Sequence, residues 1–348
     1  MIGTGIDAAE LLTALVSVPS ISGDEDAVAS MLSLRLRDAA FDAEVDAAGN
    51  IVAAWGDGPE TIALVGHMDT VAGDIAVRRD GDILHGRGAV DAKGPLAAAI
   101  AAVSRQPRQG PRRFVVVGAV DEEAGSRGAR HLATSMAAPS GLIILEPSGW
   151  DAVTIGYKGS VRLRVSVEQP QAHSAGRVAG APDRCFDVVS ALRDHARAVN
   201  GDADPFDRLD VRVLCFRSET DGLVERATVD VGVRTPPRCD VDVLVGIARS
   251  AAGAGDVTIL GQEPAVRTDR GSALARACIR AIRAAGGAPR FKLKTGTSDL
   301  NILAPAWRCP AVAYGPGDSR LDHTPGERIS ITELERAVDV LATALGDR

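Results

Sequence analysis

At 348 residues the chain is long for one hydrophobic core and suits two domains, and 45% hydrophobic with 24% charged residues is ordinary for a globular protein. A formal net charge of −7 without any basic run argues against a nucleic-acid binder. Five scattered cysteines without a C-x-x-C pair read as free thiols in a reducing compartment; no stretch nears the ~18 apolar residues of a membrane helix and no charged, then apolar, leader opens the chain, so a soluble cytoplasmic protein is expected.

In chain order, Asp7 to Val18 carry apolar residues at helical spacing and stop at Pro19. A second helix starts near Gly23-Asp24-Glu25, whose acids suit the helix dipole, and runs to about Ala40. Residues 43–46 and 50–54 read as a hairpin around Ala48-Gly49, and Thr61 to Val65 as a buried strand of a parallel or mixed sheet. Gly94-Pro95 opens an alanine-rich helix to about Val103; Phe114 to Val120 and Gly141 to Leu145 are further buried strands. Strands alternating with helices predict an α/β layer architecture. After about residue 156 the rhythm changes. Gly159 to Glu168 and Thr228 to Val233 alternate strictly, as strands with one wet face do, and flank a helix over about 181–199. Near Gly261 to Pro264 it changes back, giving a helix over 271–285, strands near 290–294 and 311–314, and a closing helix over 332–345. The prediction is an α/β domain with a mixed central sheet, 1–156 and 263–348, interrupted by a smaller α+β domain, 157–262.

The chemistry gathers where strands end, and in open α/β sheets sites form beyond the strand carboxyl ends. His67 closes the run Leu64-Val-Gly-His67-Met-Asp69, and Asp69 is placed to hold the second ring nitrogen that a ligating imidazole needs fixed. Asp91, in a Gly-rich loop before the alanine helix, is either a ligand or a helix cap. Asp121-Glu122-Glu123 follow a buried strand; three adjacent carboxylates repel one another unless cations compensate, and otherwise form an exposed acidic turn. Glu146 ends another apolar strand, and His323 lies in a loop before the last helix. Two histidines and several carboxylates without a thiolate suit Zn²⁺, Mn²⁺ or Co²⁺. His85, His131 and His195 belong to no motif and read as structural, and Lys158 is assigned no role.

The succession His67, Asp91, Glu122-Glu123, Glu146 and His323 resembles the M20 family of metallopeptidases and amidohydrolases, over essentially the whole chain and with an inserted lid domain. Gly88 to Leu96, Glu146 to Gly149, Tyr157 to Ser160 and Lys294 to Asp299 are similar to its LysK branch, which releases lysine or ornithine from an amino-group carrier protein and is related to acetylornithine deacetylase and succinyl-diaminopimelate desuccinylase.

The resemblance implies a zinc-peptidase-like catalytic domain interrupted by a lid and dimerisation domain, holding two divalent metal ions, Zn²⁺ first with Co²⁺ or Mn²⁺ as alternatives. Asp91 would bridge them, with His67 and Glu146 on one and Glu123 and His323 on the other. Asp69 would orient His67, and Glu122 would be the general base toward the bridging water. His173 would come from the lid to stabilise the oxyanion, and Arg234 would grip a substrate carboxylate. Lys294, Thr295, Ser298 and Asp299 would line the side-chain pocket, where Asp299 either pairs with a basic amino acid or caps the following helix. The implied reaction frees lysine or ornithine from the C-terminal glutamate γ-carboxyl of the carrier, in a cytoplasmic homodimer of lysine or arginine biosynthesis. Deacetylation of N-acetylornithine or N-acetyllysine, hydrolysis of another N-acyl amino acid or dipeptide, and a non-catalytic metal-binding module are the alternatives. Carriers of that type are acidic, so on a chain that is itself net negative the carrier reaction requires an arginine-rich patch around the mouth of the cleft.

Overall fold

The computed structural model describes residues 5–346 other than 174 and 177. The long apolar runs form the middle of a mixed sheet, whose strands lie in the order Asp42–Val45, Ile51–Trp55, Arg112–Ala119, Glu60–His67, Gly141–Ile144, Ala311–Ala313 and Ala152–Tyr157. Glu60–His67 runs parallel to both neighbours, with Leu64 opposite Val116 on one side and Ile143 on the other. The pairings of Asp42–Val45 with Ile51–Trp55, of Ile51–Trp55 with Arg112–Ala119, and of Ala311–Ala313 with Ala152–Tyr157 are antiparallel, so the expected α/β fold with a mixed central sheet is borne out. The central strands are covered on both faces, which is why they read as continuous apolar segments. The alanine-rich helix Lys93–Ser104 is buried from Lys93 to Val103 and packs on the strand Glu60–His67 and on the helices Ala8–Val16 and Ile331–Gly346. Small side chains allow that close approach on every side. Ala8–Val16 begins on Asp7, whose carboxylate accepts from the Glu10 N–H at 2.9 Å.

The chain divides into two units, residues 5–156, 268–293 and 298–346 in the first, residues 157–267 with 294–297 in the second. The second is an antiparallel sheet in the order Asp210–Thr220, Val224–Thr235, Gly159–Pro170, Asp256–Glu263. Val161, Leu163, Val165 and Val167 on one central strand, and Ala227, Val229, Val231 and Val233 on the other, form a core with the helices Ala181–Asn200 and Val241–Ala252. The intervening residues point away from that core, as period-two alternation requires. The return of the first rhythm, read near Gly261 to Pro264, falls inside the strand Asp256–Glu263.

Candidate metal centre

Three adjacent parallel strands deliver the acidic and histidine groups to one edge. Glu60–His67 ends on His67; Arg112–Ala119 is followed by Val120 and then Asp121-Glu122-Glu123; Gly141–Ile144 is followed by Leu145 and Glu146. Gly66 permits this convergence, because a Cβ there would stand 2.8 Å from the Leu145 Cβ. Asp91 enters from the loop before Lys93–Ser104, and its peptide bond to Ala92 is cis. His323 comes from the 321–327 loop with φ of 60°.

All five groups meet around the Asp91 carboxylate. Its Oδ1 lies 3.3 Å from His67 Nε2, and its Oδ2 lies 3.1 Å from His323 Nε2. Glu146 Oε1 stands 3.8 Å from the first imidazole and Glu123 Oε1 2.9 Å from the second. The donors thus fall into two sets that share Asp91. His67 is 1% exposed, and Asp69 is fully buried beneath it.

The second ring nitrogen of His67 fixes its tautomer. His67 Nδ1 lies 2.9 Å from the Asp69 carbonyl oxygen, which can only accept, so Nδ1 carries a hydrogen. In the neutral ring Nε2 is then a lone pair aimed at the Asp91 and Glu146 carboxylates, an arrangement that needs a proton or a cation between them. Without a cation the structure favours protons. Burial alone would depress the His67 imidazole, but its contacts with Asp69 and Asp91 and the Glu122 charge hold it well above its ordinary value. Bonds to Asp91 and Glu123 raise His323 to about 10. The residues present fit a divalent cation group: neutral imidazole lone pairs and carboxylates, oriented by a carbonyl behind the ring.

Asp69 does more than the sequence suggested. Its carboxylate is 3.4 Å from His67 Nδ1, farther than its own carbonyl, and accepts from the Glu122 N–H (3.1 Å), the Glu123 N–H (3.0 Å) and the Ser22 hydroxyl (2.7 Å). It therefore places the Glu122-Glu123 backbone as well as the imidazole. Glu122 is partly buried and, among the described residues, nothing donates a hydrogen bond to its carboxylate. Lost solvation pushes its carboxyl well above the usual range; His67 opposes this, and the charges of Asp299, Glu146 and Glu123 add to it.

Ser298 and Asp299 are buried in the first unit. Asp299 occupies the N-cap position of the helix Leu300–Trp307, yet its carboxylate makes no capping bond; the Ser298 hydroxyl accepts from the Leu300 N–H at 3.2 Å instead. His173, Arg234, Lys294 and Thr295 belong to the second unit. There His173 is exposed and its Nδ1 accepts from the Ala175 N–H at 3.1 Å. Arg234 is half-buried and donates to the Thr297 hydroxyl at 3.0 Å, and the Lys294 ammonium lies 5.6 Å from the centre of the Tyr157 ring. Lys158 is a buried clasp. Its ammonium donates to the Pro205 carbonyl (3.2 Å), the Arg208 carbonyl and the Asp210 carboxylate (2.5 Å). His85 and His131 face Asp80 (3.5 Å) and Asp46 (3.7 Å), away from the cluster.

Sequence reasoning missed Glu327. Only 1% exposed, it accepts from the Val90 N–H (2.9 Å) and the Asp91 N–H (3.1 Å) with one oxygen, and from the Arg87 guanidinium (2.8 Å) with the other. It ties the loop carrying His323 to the loop carrying Asp91. The available signal was its place in the same short run, four residues after His323.

Residues 63–347 match the model of peptidase family M20/M25/M40. The chain belongs to that family. Over 97% of its length it is 47% identical to the LysW-lysine hydrolase of Deinococcus radiodurans, 96% of which is covered. It is 38% identical to a putative LysW-lysine/LysW-ornithine hydrolase of Pyrococcus abyssi, over 97% of this chain and 92% of that one. Among solved structures, an M20 family metallo-carboxypeptidase of Sulfolobus solfataricus, Sso-CP2, superposes with a TM-score of 0.80 at 17% identity, covering 98% of this chain and 99% of the other. The aminopeptidase PepT of Bacillus cereus gives 0.79, also at 17% identity, over 98% and 97%. These likenesses establish the fold. As an M20 family member with hydrolase relatives along its length, the chain is a metal-dependent hydrolase of amide bonds.

Proposed function

We propose that the chain releases lysine or ornithine from the C-terminal glutamate γ-carboxyl of an amino-group carrier protein, in the cytoplasm and as a homodimer joined through the second unit. The observation that carries this reading is the 47% identity, over nearly the full length of both chains, to a relative named as a LysW-lysine hydrolase. The two donor sets support the chemistry.

His67, Asp91 and Glu146 would hold one divalent cation, and Asp91, Glu123 and His323 the other. Zn²⁺ suits imidazole and carboxylate donors, and Co²⁺ or Mn²⁺ accept the same set. When bound, such a pair lowers the pKa of water and polarises the scissile carbonyl. Glu122 takes the proton of the attacking water and returns it to the leaving amine. Its affinity for that proton comes from lost solvation and neighbouring carboxylates. Asp69 keeps His67 in the required tautomer and sets the Glu122 backbone. His173 supplies a donor to the oxyanion and Arg234 a bidentate grip on the substrate carboxylate. Asp299, buried beside Ser298 in the first unit, pairs with the side-chain ammonium of the released amino acid.

The test is a substrate comparison. Purified protein loaded with Zn²⁺ or Co²⁺ is given carrier-linked lysine, carrier-linked ornithine, N-acetyllysine and N-acetylornithine, and free amino acid is measured by mass spectrometry. Faster release from the carrier is expected. Hydrolysis of the N-acetyl amino acids alone would replace this reading with a deacetylase.

A further inference from the structure

The connection between the helices Ala8–Val16 and Asp26–Asp38 carries polar side chains that the proposed reaction does not use, and they are bonded to the metal centre. Ser20 is buried. Its hydroxyl donates to the Met68 carbonyl at 2.7 Å and its own carbonyl accepts from the Thr70 N–H at 2.8 Å, so Asp69 is clamped on both sides. The Ser22 hydroxyl donates to the Asp69 carboxylate at 2.7 Å. Gly23, with φ of 91°, makes the turn that follows. One oxygen of the buried Glu25 accepts from the Gly23 N–H at 2.9 Å and from the Asp121 N–H at 3.0 Å.

Glu25 holds the N-cap position of Asp26–Asp38, where a side chain ordinarily bonds the first turn, yet its carboxylate makes no capping bond. It reaches instead to the turn that bears Glu122. Asp121 has φ of 65°, a left-handed conformation uncommon outside glycine, so its surroundings must hold that turn in shape. Glu25 holds it at the Asp121 N–H, and Asp69 at the next two, of Glu122 (3.1 Å) and Glu123 (3.0 Å). Three consecutive N–H groups thus end on two carboxylates. One of these belongs to the connection, and the other is seated by its Ser22.

The consequence is chemical because the turn carries the base. Glu122 must come within hydrogen-bond reach of the attacking water and of the leaving amine, and a misplacement of about 1 Å at such a group costs on the order of 10²-fold in rate. Among the described residues no donor to the Glu122 carboxylate corrects an error in its backbone.

We propose that Ser22 and Glu25 are positioning residues for Glu122, acting through the Asp69 carboxylate and the Asp121 N–H. The inference rests on the reading of Glu122 as general base and adds what aims it.

The test measures kcat and KM for Ser22→Ala, Ser22→Thr, Glu25→Ala and Glu25→Gln in the Zn²⁺-loaded full chain, on whichever of the four substrates above is cleaved fastest. The two alanine changes are repeated in a Glu122→Gln background. Each alanine variant should lose about 10–100-fold in kcat with KM and bound metal unchanged. Threonine and glutamine keep the hydroxyl donor and the carbonyl acceptor and should come within about threefold of wild type. In the Glu122→Gln background the alanine changes should cost less than about threefold, because residues that act as a unit are not additive. Independently of turnover, amide hydrogen exchange over residues 121–123 should quicken about tenfold or more in the alanine variants, with the strand Glu60–His67 unchanged. Ser22→Ala, at a half-buried position, carries the test if Glu25→Ala does not fold. Wild-type kcat in the alanine variants, equal losses with and without Glu122, or a loss accounted for by missing metal would overturn the positioning role. An unchanged kcat in Glu122→Gln alone would instead overturn the reading of Glu122 as the base.

Discussion

Glu327→Ala should destabilise the metal-free protein far more than an ordinary surface change, and the structure gives the size. The substitution strands the Val90 and Asp91 N–H groups, which now donate at 2.9 and 3.1 Å, and leaves the Arg87 guanidinium, 13% exposed, without its carboxylate at 2.8 Å. Removing one partner of a buried pair costs about 3–5 kcal/mol, and each stranded buried donor about 1–3 kcal/mol where water cannot reach it. These costs overlap, so about 3–5 kcal/mol is expected, lowering the melting point by roughly 6–20 °C for a unit of this size. Glu327→Gln should cost about half as much, because its amide oxygen can keep the two backbone bonds while its NH₂ faces Arg87. The assay is denaturant unfolding after chelation, with a double-mutant cycle against Arg87→Met. The cycle should show a coupling of about 1–3 kcal/mol. Divalent-metal affinity should fall about 10–100-fold in the glutamine variant, since Asp91 loses part of its support. A loss below about 1 kcal/mol for alanine, together with additive costs in the cycle, would refute the reasoning.

Glu122→Gln should lower kcat by about 10²–10⁴ while metal content measured by mass spectrometry stays at the wild-type level; loss of metal instead would make Glu122 a ligand. Adding Zn²⁺ to the metal-free protein at pH 7 should release protons. His323 is raised to about 10 from 6.5, so its proton contributes stability fully below pH 6.5 and loses that contribution as pH rises through about 10. Ligation requires the neutral ring, so apparent affinity should rise with pH across that window. Binding heats that do not vary between buffers of different ionisation enthalpy would contradict this. Lys158→Met should destabilise the second unit by about 1–3 kcal/mol, since it removes the donor to the Pro205 and Arg208 carbonyls while the Asp210 carboxylate, 56% exposed, turns to water; the loss should register as a lower denaturant midpoint.

The first unit was legible because its central strands are apolar runs closed by a single polar residue, so His67, Glu122-Glu123 and Glu146 announce themselves at the strand ends. The second unit was half legible. Gly159–Pro170 and Val224–Thr235 keep strict alternation because one face is buried throughout. The outer strand Asp210–Thr220 does not, because a bulge between Val213 and Cys215 shifts its pattern by one and Leu214 is left exposed. Asp256–Glu263 carries a similar shift between Ile259 and Gly261. The helix Arg127–Ser135 buries only Gly128, Ala129 and Leu132, too few apolar positions to stand out.

What spacing could not show is which carboxylates hold protein and which are available to a ligand. Hydrogen-bond bookkeeping separates them. Asp69 accepts from two backbone N–H groups and the Ser22 hydroxyl; Glu327 accepts from two backbone N–H groups and a guanidinium; the buried Glu25 accepts from the Gly23 and Asp121 N–H groups at 2.9 and 3.0 Å. A carboxylate has about four lone-pair directions, and those spent on fixed donors leave little to offer a cation. Asp91 and Glu123 are different, since the contacts that bring them together are with imidazole nitrogens, which can give up a proton and turn a lone pair toward a metal. Glu122 belongs to neither group: its backbone is held by Asp69, while its carboxylate accepts from no donor among the described residues. A rigidly seated backbone with an uncommitted carboxylate is what a proton carrier requires, because its side chain must change partners within each turnover. The division of labour among these acids therefore follows from which donors each one already holds.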